Sequence, residues 1–357
     1  MSRWKTGFWF LGAALALCTA AFVWMRYVRI PKDIAYVTEE EGSISVIDLH
    51  TLKIIRRIQP PDVQPRGIAV TPDGNYIVTA NKNTSDITVF STPHLHLVKR
   101  IHIGHSPEFI KVDSAGHRLF ATFEPGSSGG APGSPEVKED ADEDNDAPAQ
   151  IASFRLADWS PGPVATAGRE TEGLEFSPDG KYLLVANEAQ DNVGIFAAGT
   201  GVPIRNVDLK PYGIRPRAIK VSPLHNEYSV TMEASGTLLK MDMNFNVLKS
   251  VPTAAKPYGE AFDRAGKRIF VAAALASKLQ VFDADSLNLL AEVPIGKRCW
   301  HFTFTPDDSK ILLACGRSNN IVVVDPNSYK PVATIEGLNL PWGIVTYPRS
   351  YGSLGLP

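Results

Sequence analysis

One short phrase recurs seven times along the chain, and its spacing constrains the architecture more tightly than any single residue does. Its clearest copies are GIAVTPDGNYIVTAN from Gly67 and GLEFSPDGKYLLVAN from Gly173. The turn residues of the seven copies are Gly74, Gly116, Gly180, His225, Gly266, Asp308 and Ser350, with gaps of 42, 64, 45, 41, 42 and 42. A unit of this length cannot bury both of its faces alone and must stack on its neighbours. Runs such as YIVTA and ITVF are short, rich in β-branched residues and bounded by Asn, Asp, Ser and Gly, as strands are. Ser/Thr-Pro-Asp-Gly puts proline second and glycine fourth in a type I turn, so it reads as a hairpin joining two strands.

These observations predict an all-β, seven-bladed β-propeller over residues 34–350, with a membrane anchor or uncleaved signal and linker over 1–33 and a C-terminal tail over 351–357. The first outer strands, from Ile34, precede the first inner strand, and the last inner strand, around GIVTYP, has no strands after it. The ring is therefore expected to close by pairing N-terminal strands with that last inner strand, which manages the exposed edges of the sheet.

IAYVTEEEGSISVIDLHTLKIIRRI followed by PRGIAVTPDGNYIVTAN resembles the bacterial YVTN-type seven-bladed propeller repeat over about residues 34–350. GKRCWHFTFTPDDSKILLACGRSNNIVVVDPNSYKPVATI, with LPWGIV after it, is similar to propellers associated with quinoprotein-dependent alcohol catabolism. It departs from them in the long insertion and in both cysteines. The resemblance implies the fold and an exported protein; propellers carry many activities, so it assigns none.

At 44% hydrophobic and 21% charged residues, the composition is that of one large globular domain. A net charge of -2 argues against a nucleic acid as the main partner. Gly7 to Met25 is 19 residues without a charge, or about 28 Å as a helix, close to a bilayer core. Trp4, Trp9, Trp24 and Tyr27 flank it as interfacial aromatics do. The expectation is a single-pass anchor with the propeller on the periplasmic side of the cell membrane. A tether ending near Asp33 would turn one face of the ring, the bottom, toward the lipid.

The 64-residue gap holds EPGSSGGAPGSPEVKEDADEDNDAPAQ, residues 124–150. Seven acids against one lysine between Glu136 and Asp146, with few apolar residues, predict a disordered, solvated acidic loop. Asp140, Asp142 and Asp144 have alternate ligand spacing, but Asn145 and Ile151 stand where a calcium loop needs Gly and Glu. No metal is expected.

Aligning the copies on their turns yields the residue each blade places at the top of the central channel: Arg66, Glu108, Glu172, Arg217, Tyr258, Trp300 and Trp342. The arc is polar on one side and aromatic on the other. That suits either a ligand with a flat apolar part and a polar part, or Arg–Glu pairs beside an aromatic plug. Arg298 and His301 lie close by, and His301 is the candidate general base. Three positions deeper, Lys111, Glu175 and Lys220 alternate in sign and read as pairs across the channel wall. Cys299 and Cys315 fall opposite each other in a hairpin, leaving open a disulfide, two buried thiols or a metal site with His301.

No CxxCH is present, so no covalent c-type haem is expected, and no other cofactor is indicated. GxSxG, Walker A and HExxH are absent. The functional expectation is a membrane-anchored, exported binding or assembly module for a protein partner or a small aromatic-polar ligand at the top of the channel, on the face away from the membrane. The alternative is a lactonase-like hydrolase or an accessory of a quinoprotein or redox-cofactor system.

Overall fold

A computed structural model describes residues 32–113, 115–125, 147–224 and 226–356. Among them are seven separate four-stranded sheets. Blade 1 comprises Pro65–Val70, Tyr76–Asn81, Asp86–Ser91 and His96–His102, and blade 2 comprises Pro107–Val112, Arg118–Phe123, Gln150–Arg155 and Ala165–Thr166. Blades 3 to 6 follow from their inner strands Thr171–Phe176, Pro216–Val221, Pro257–Phe262 and Cys299–Phe304. In blade 7 the inner strand Pro341–Tyr347 precedes, in space, the three N-terminal strands Ile34–Glu39, Ser43–Asp48 and Lys53–Ile58.

The Ile34 strand pairs antiparallel with the last inner strand, Ile34 opposite Tyr347 and Tyr36 opposite Val345. No sheet closes on itself by hydrogen bonding, however. The expectation of a ring closed by strand pairing is corrected accordingly: pairing completes blade 7, and apolar packing between blades completes the ring. Each hydrophobic cluster spans two blades, as where Phe270 and Val281 of blade 5 meet Phe302 and Leu313 of blade 6. This is why no repeat is stable alone. The outer strands present residues such as Arg56, Arg57, Lys99 and Arg100, and charges on an exposed edge discourage pairing with other chains.

The Thr-Pro-Asp-Gly phrase closes as a hairpin, with Gly74 N–H donating to Thr71 C=O at 2.8 Å and Gly74 at φ +70°. A side chain there would collide with the Tyr347 ring 2.2 Å away.

The membrane expectation is corrected. Among the described residues no helix is long and apolar enough to cross a membrane. The Gly7–Met25 segment lies outside the described residues, as do most of the acidic loop, including Asp140, Asp142 and Asp144, and the turn residue His225. The expected anchor, membrane partner, periplasmic placement and lipid-facing side have no such helix behind them among the described residues.

The tail from Ser350 holds a feature that the repeat did not forecast. It runs into the channel alongside the inner strand of blade 6: Phe304 N–H donates to Tyr351 C=O at 2.8 Å and Ser353 N–H to Phe302 C=O at 3.0 Å. Gly352 is required, because a Cβ there would stand 2.8 Å from Phe302 O and 2.9 Å from Thr303 Cα. From the opposite wall, Lys111 Nζ donates to Gly355 C=O at 3.3 Å and Lys220 Nζ to Leu356 C=O at 3.0 Å. The chain thus plugs its own channel from the bottom.

Candidate functional site

Every top-ring residue occupies the same backbone device. The pairing of each inner strand slips by one residue at its second position, as between Pro65 and Ile68, Pro216 and Ile219, or Cys299 and His301. A bulge of this kind re-aims a side chain, and here it points Arg66, Glu108, Glu172, Arg217, Tyr258, Trp300 and Trp342 to the channel top. Threonines from the second strands pin it. Thr231 Oγ1 accepts from Ala218 N–H at 3.1 Å and donates to Tyr258 C=O at 2.9 Å, tying blade 4 to blade 5. Thr38 does the same between Gly343 N–H, at 2.9 Å, and Arg66 C=O, at 2.5 Å.

A second ring lies just after the second strands, outside the top-ring alignment: Glu40, Lys82, Glu124, Glu188, Glu233, Ala274 and Gly316. The signal was available as the residue following each YIVTAN-like phrase, which is Glu in four blades. Ala274 and Gly316 are small where the neighbouring top-ring residue is large. A Cβ on Gly316 would lie 1.9 Å from the Trp300 ring.

Ion pairs between the two rings gather around Arg66 and around Arg217. Arg66 pairs with Glu40 and, at 2.6 Å, with Glu108. Arg217 is surrounded by Glu188 at 2.7 Å, Glu172 at 3.1 Å and Glu233 at 3.2 Å, while its Nη2 bonds Tyr258 Oη and its guanidinium lies 4.0 Å over the Tyr258 ring. Arg215 adds contacts to Glu188 at 2.7 Å and Glu170 at 3.1 Å. Arg217 and Glu172 are only 5% and 7% exposed.

Burial with an excess of carboxyls raises several of these acids. Burial, reinforced by the neighbouring Glu108, pushes Glu124 up to about 8 despite a 2.8 Å bond from Thr171 N–H. Glu233 is pushed up to about 7 by burial against the opposing pull of Arg217. Glu172 is held well above the carboxylate range, burial outweighing Arg217. Glu188, although buried, is held below that range by Arg217 and Arg215. Protonated and ionised carboxyls therefore stand around one guanidinium.

The aromatic side is packed. Trp300 and Trp342 are 0% exposed. His301, 2% exposed, lies 4.3 Å from Trp342, 5.4 Å from Tyr258 and 5.5 Å from Phe109, ring centroid to centroid. Burial, then Arg217 and Lys220, depress its pKa well below the usual histidine value, so it is neutral. Arg298 stands at the entry to blade 6 with φ +50° and accepts Gly316 N–H through its backbone at 3.0 Å. Cys299 and Cys315 are joined by a disulfide across the first pair of blade 6. Among the described residues no group of three or more His, Cys, Asp or Glu is placed to hold a metal ion.

No protein-family profile and no curated protein matches the sequence. Solved structures share the fold. A periplasmic gluconolactonase of Pseudomonas aeruginosa is 17% identical with a TM-score of 0.69, over 88% of this chain and 99% of that one. A protein of Desulfotomaculum acetoxidans of unknown function is 16% identical with a TM-score of 0.73, over 88% and 98%. A protein from Lactobacillus plantarum is 14% identical with a TM-score of 0.71, over 88% and 98%. The chain is a seven-bladed propeller of the kind these proteins share. The expectation of a membrane-anchored binding or assembly module falls with its anchor.

Proposed function

We propose that the protein is a lactonase-like hydrolase whose reaction takes place at the top mouth of the channel. The observation that carries this reading is the set of three carboxyls around Arg217, buried together and held at different protonation states. Catalytic acids and bases are made in this way, by environments that push like groups apart. Glu233, poised near neutrality, takes a proton from water as the water oxygen adds to the lactone carbonyl. Arg217, whose Nε–H has no partner, faces the oxygen on which negative charge develops. The ring C–O bond then breaks, and protonated Glu172 gives its proton to the departing ring oxygen, leaving an open hydroxy acid. His301 is set aside as the base, because charging it would place a cation beside Arg217 and Lys220 in a buried site. The finer likeness to YVTN-type repeats belongs to this proposal and adds no residue to it.

The test is titration of acid release from D-glucono-1,5-lactone by the full chain. Hydrolysis above the spontaneous rate, with an acid limb in which the rate falls away below about pH 7 and which E233Q abolishes, is the expected result. A rate equal to buffer alone refutes the reading.

A further inference from the structure

Several buried side-chain atoms of the rings and channel have no hydrogen-bond partner, and they are chemically mixed. Glu40 Oε2, Glu172 Oε2 and His301 Nε2 are among them, as are the N–H groups of Arg217 Nε, Trp300 Nε1 and Trp342 Nε1. Buried polar atoms normally find partners in protein, ordered water or a ligand, so such a concentration offers a place for a polar guest.

His301 narrows the guest. Its Nδ1 lies 3.1 Å from Ser353 Oγ of the tail, which also receives Phe302 N–H at 3.0 Å and stands 3.1 Å from Phe302 C=O. A hydroxyl has one proton and two lone pairs. If that proton goes to Phe302 C=O, both lone pairs are filled, by Phe302 N–H and by a proton on His301 Nδ1. The reverse assignment forms one bond fewer and leaves a buried Nε2–H donor without an acceptor, the costlier kind of orphan. Nδ1 therefore carries the proton, and Nε2 presents a lone pair on a ring whose centroid is 5.4 Å from that of Tyr258.

We propose that His301 Nε2 is the acceptor of a hydroxyl-recognition subsite at the floor of the mouth, and that Ser353 is the positioning residue that fixes its tautomer. A hydroxyl both donates and accepts, matching the mixed set of unpartnered atoms. A phosphate oxyanion only accepts, and would face the lone pair of His301 and the surplus carboxyls above it. Arg66 is meanwhile committed to Glu40 and Glu108, and Arg217 Nη1 to three carboxylates, so of the Arg217 guanidinium only Nε is left for a ligand. Joined to the hydrolase reading, on which this part rests, the substrate class is an unphosphorylated polyhydroxy lactone.

The experiment compares D-glucono-1,5-lactone, its 6-phosphate and δ-valerolactone on the full chain, wild type, H301F and H301Q. Wild type is expected to favour the first over both others by at least about tenfold in kcat/KM, a margin set by one buried hydrogen bond, and both variants to lose that ratio. Equal or better use of the phosphate, or a ratio unchanged in the variants, overturns the subsite. If no lactone is turned over, the hydrolase reading fails and the subsite is decided by ¹⁵N spectra of the His301 ring. A bare Nε2 that shifts toward the hydrogen-bonded range on adding 1,5-anhydroglucitol, and a tautomer mixture in S353A, support it. A protonated Nε2, or no shift with the polyol, overturns it.

Discussion

The channel holds two buried ionic clusters, and they are opposites. At the top, carboxyls outnumber the guanidinium groups they surround, acids are held protonated, and atoms are left without partners. Lower in the channel, Glu175 is gripped by Lys111 at 2.9 Å and Lys220 at 3.1 Å. The two lysines spend further donors on carbonyls of the tail. Burial alone would raise Glu175, but the two ammonium groups outweigh it and hold it below its usual range. Identical side chains in one channel thus shift in opposite directions. What separates them is whether the polar groups are balanced: a satisfied cluster fixes structure, and an unsatisfied one is open to a ligand.

The largest way to break this comparison is to unbalance the bottom. E175A leaves Lys111 and Lys220 buried against the tail without their carboxylate and should cost about 3–5 kcal/mol in denaturant unfolding, as removal of one member of a buried ionic set does. A loss below about 1 kcal/mol would mean that the plug is not held electrostatically. The disulfide is next. Reducing it, or replacing Cys299 and Cys315 by serine, frees a loop of sequence separation 16 and should cost about 3 kcal/mol by the same measurement.

The pH dependence comes third and has opposite signs in the two clusters. Glu124, raised to about 8, keeps its proton in the folded state after the unfolded chain has lost it. Its contribution therefore falls as pH rises from about 4.5 to about 8, by at most about 1.4 kcal/mol per pH unit, and E124Q should remove that slope. Glu175, held low, contributes above its unfolded pKa and loses that contribution as pH falls through its folded value, so E175Q should flatten the acid limb instead. The smallest expected effect is at the stitches: T231V, which breaks the tie between blades 4 and 5, should cost about 1 kcal/mol.

The fold was legible because a propeller writes its geometry as repetition. The hairpin phrase located each inner strand, and equivalent positions identified Arg66, Glu172 and Arg217 before any coordinates. The bulge that makes those positions special has no letter of its own, since it arises from pairing with the next strand. Glu40, Glu124 and Glu188 were missed although their ring is periodic too, because the phrase draws attention to strands and they lie one residue beyond. The burial of Trp300 follows from Gly316, which is far off in the alignment of rims and in contact only after folding. The tail could not be read at all: its partners Lys111, Lys220 and His301 come from three blades, and nothing in its sequence repeats.

The central claim, that the top cluster is where the chemistry occurs, is tested most directly by E172Q. The substitution removes the proton donor while keeping shape and neutrality. The account predicts that kcat/KM for D-glucono-1,5-lactone falls about 100-fold or more, with stability at pH 8 unchanged or higher because the raised carboxyl no longer opposes folding. Full activity in E172Q would contradict it.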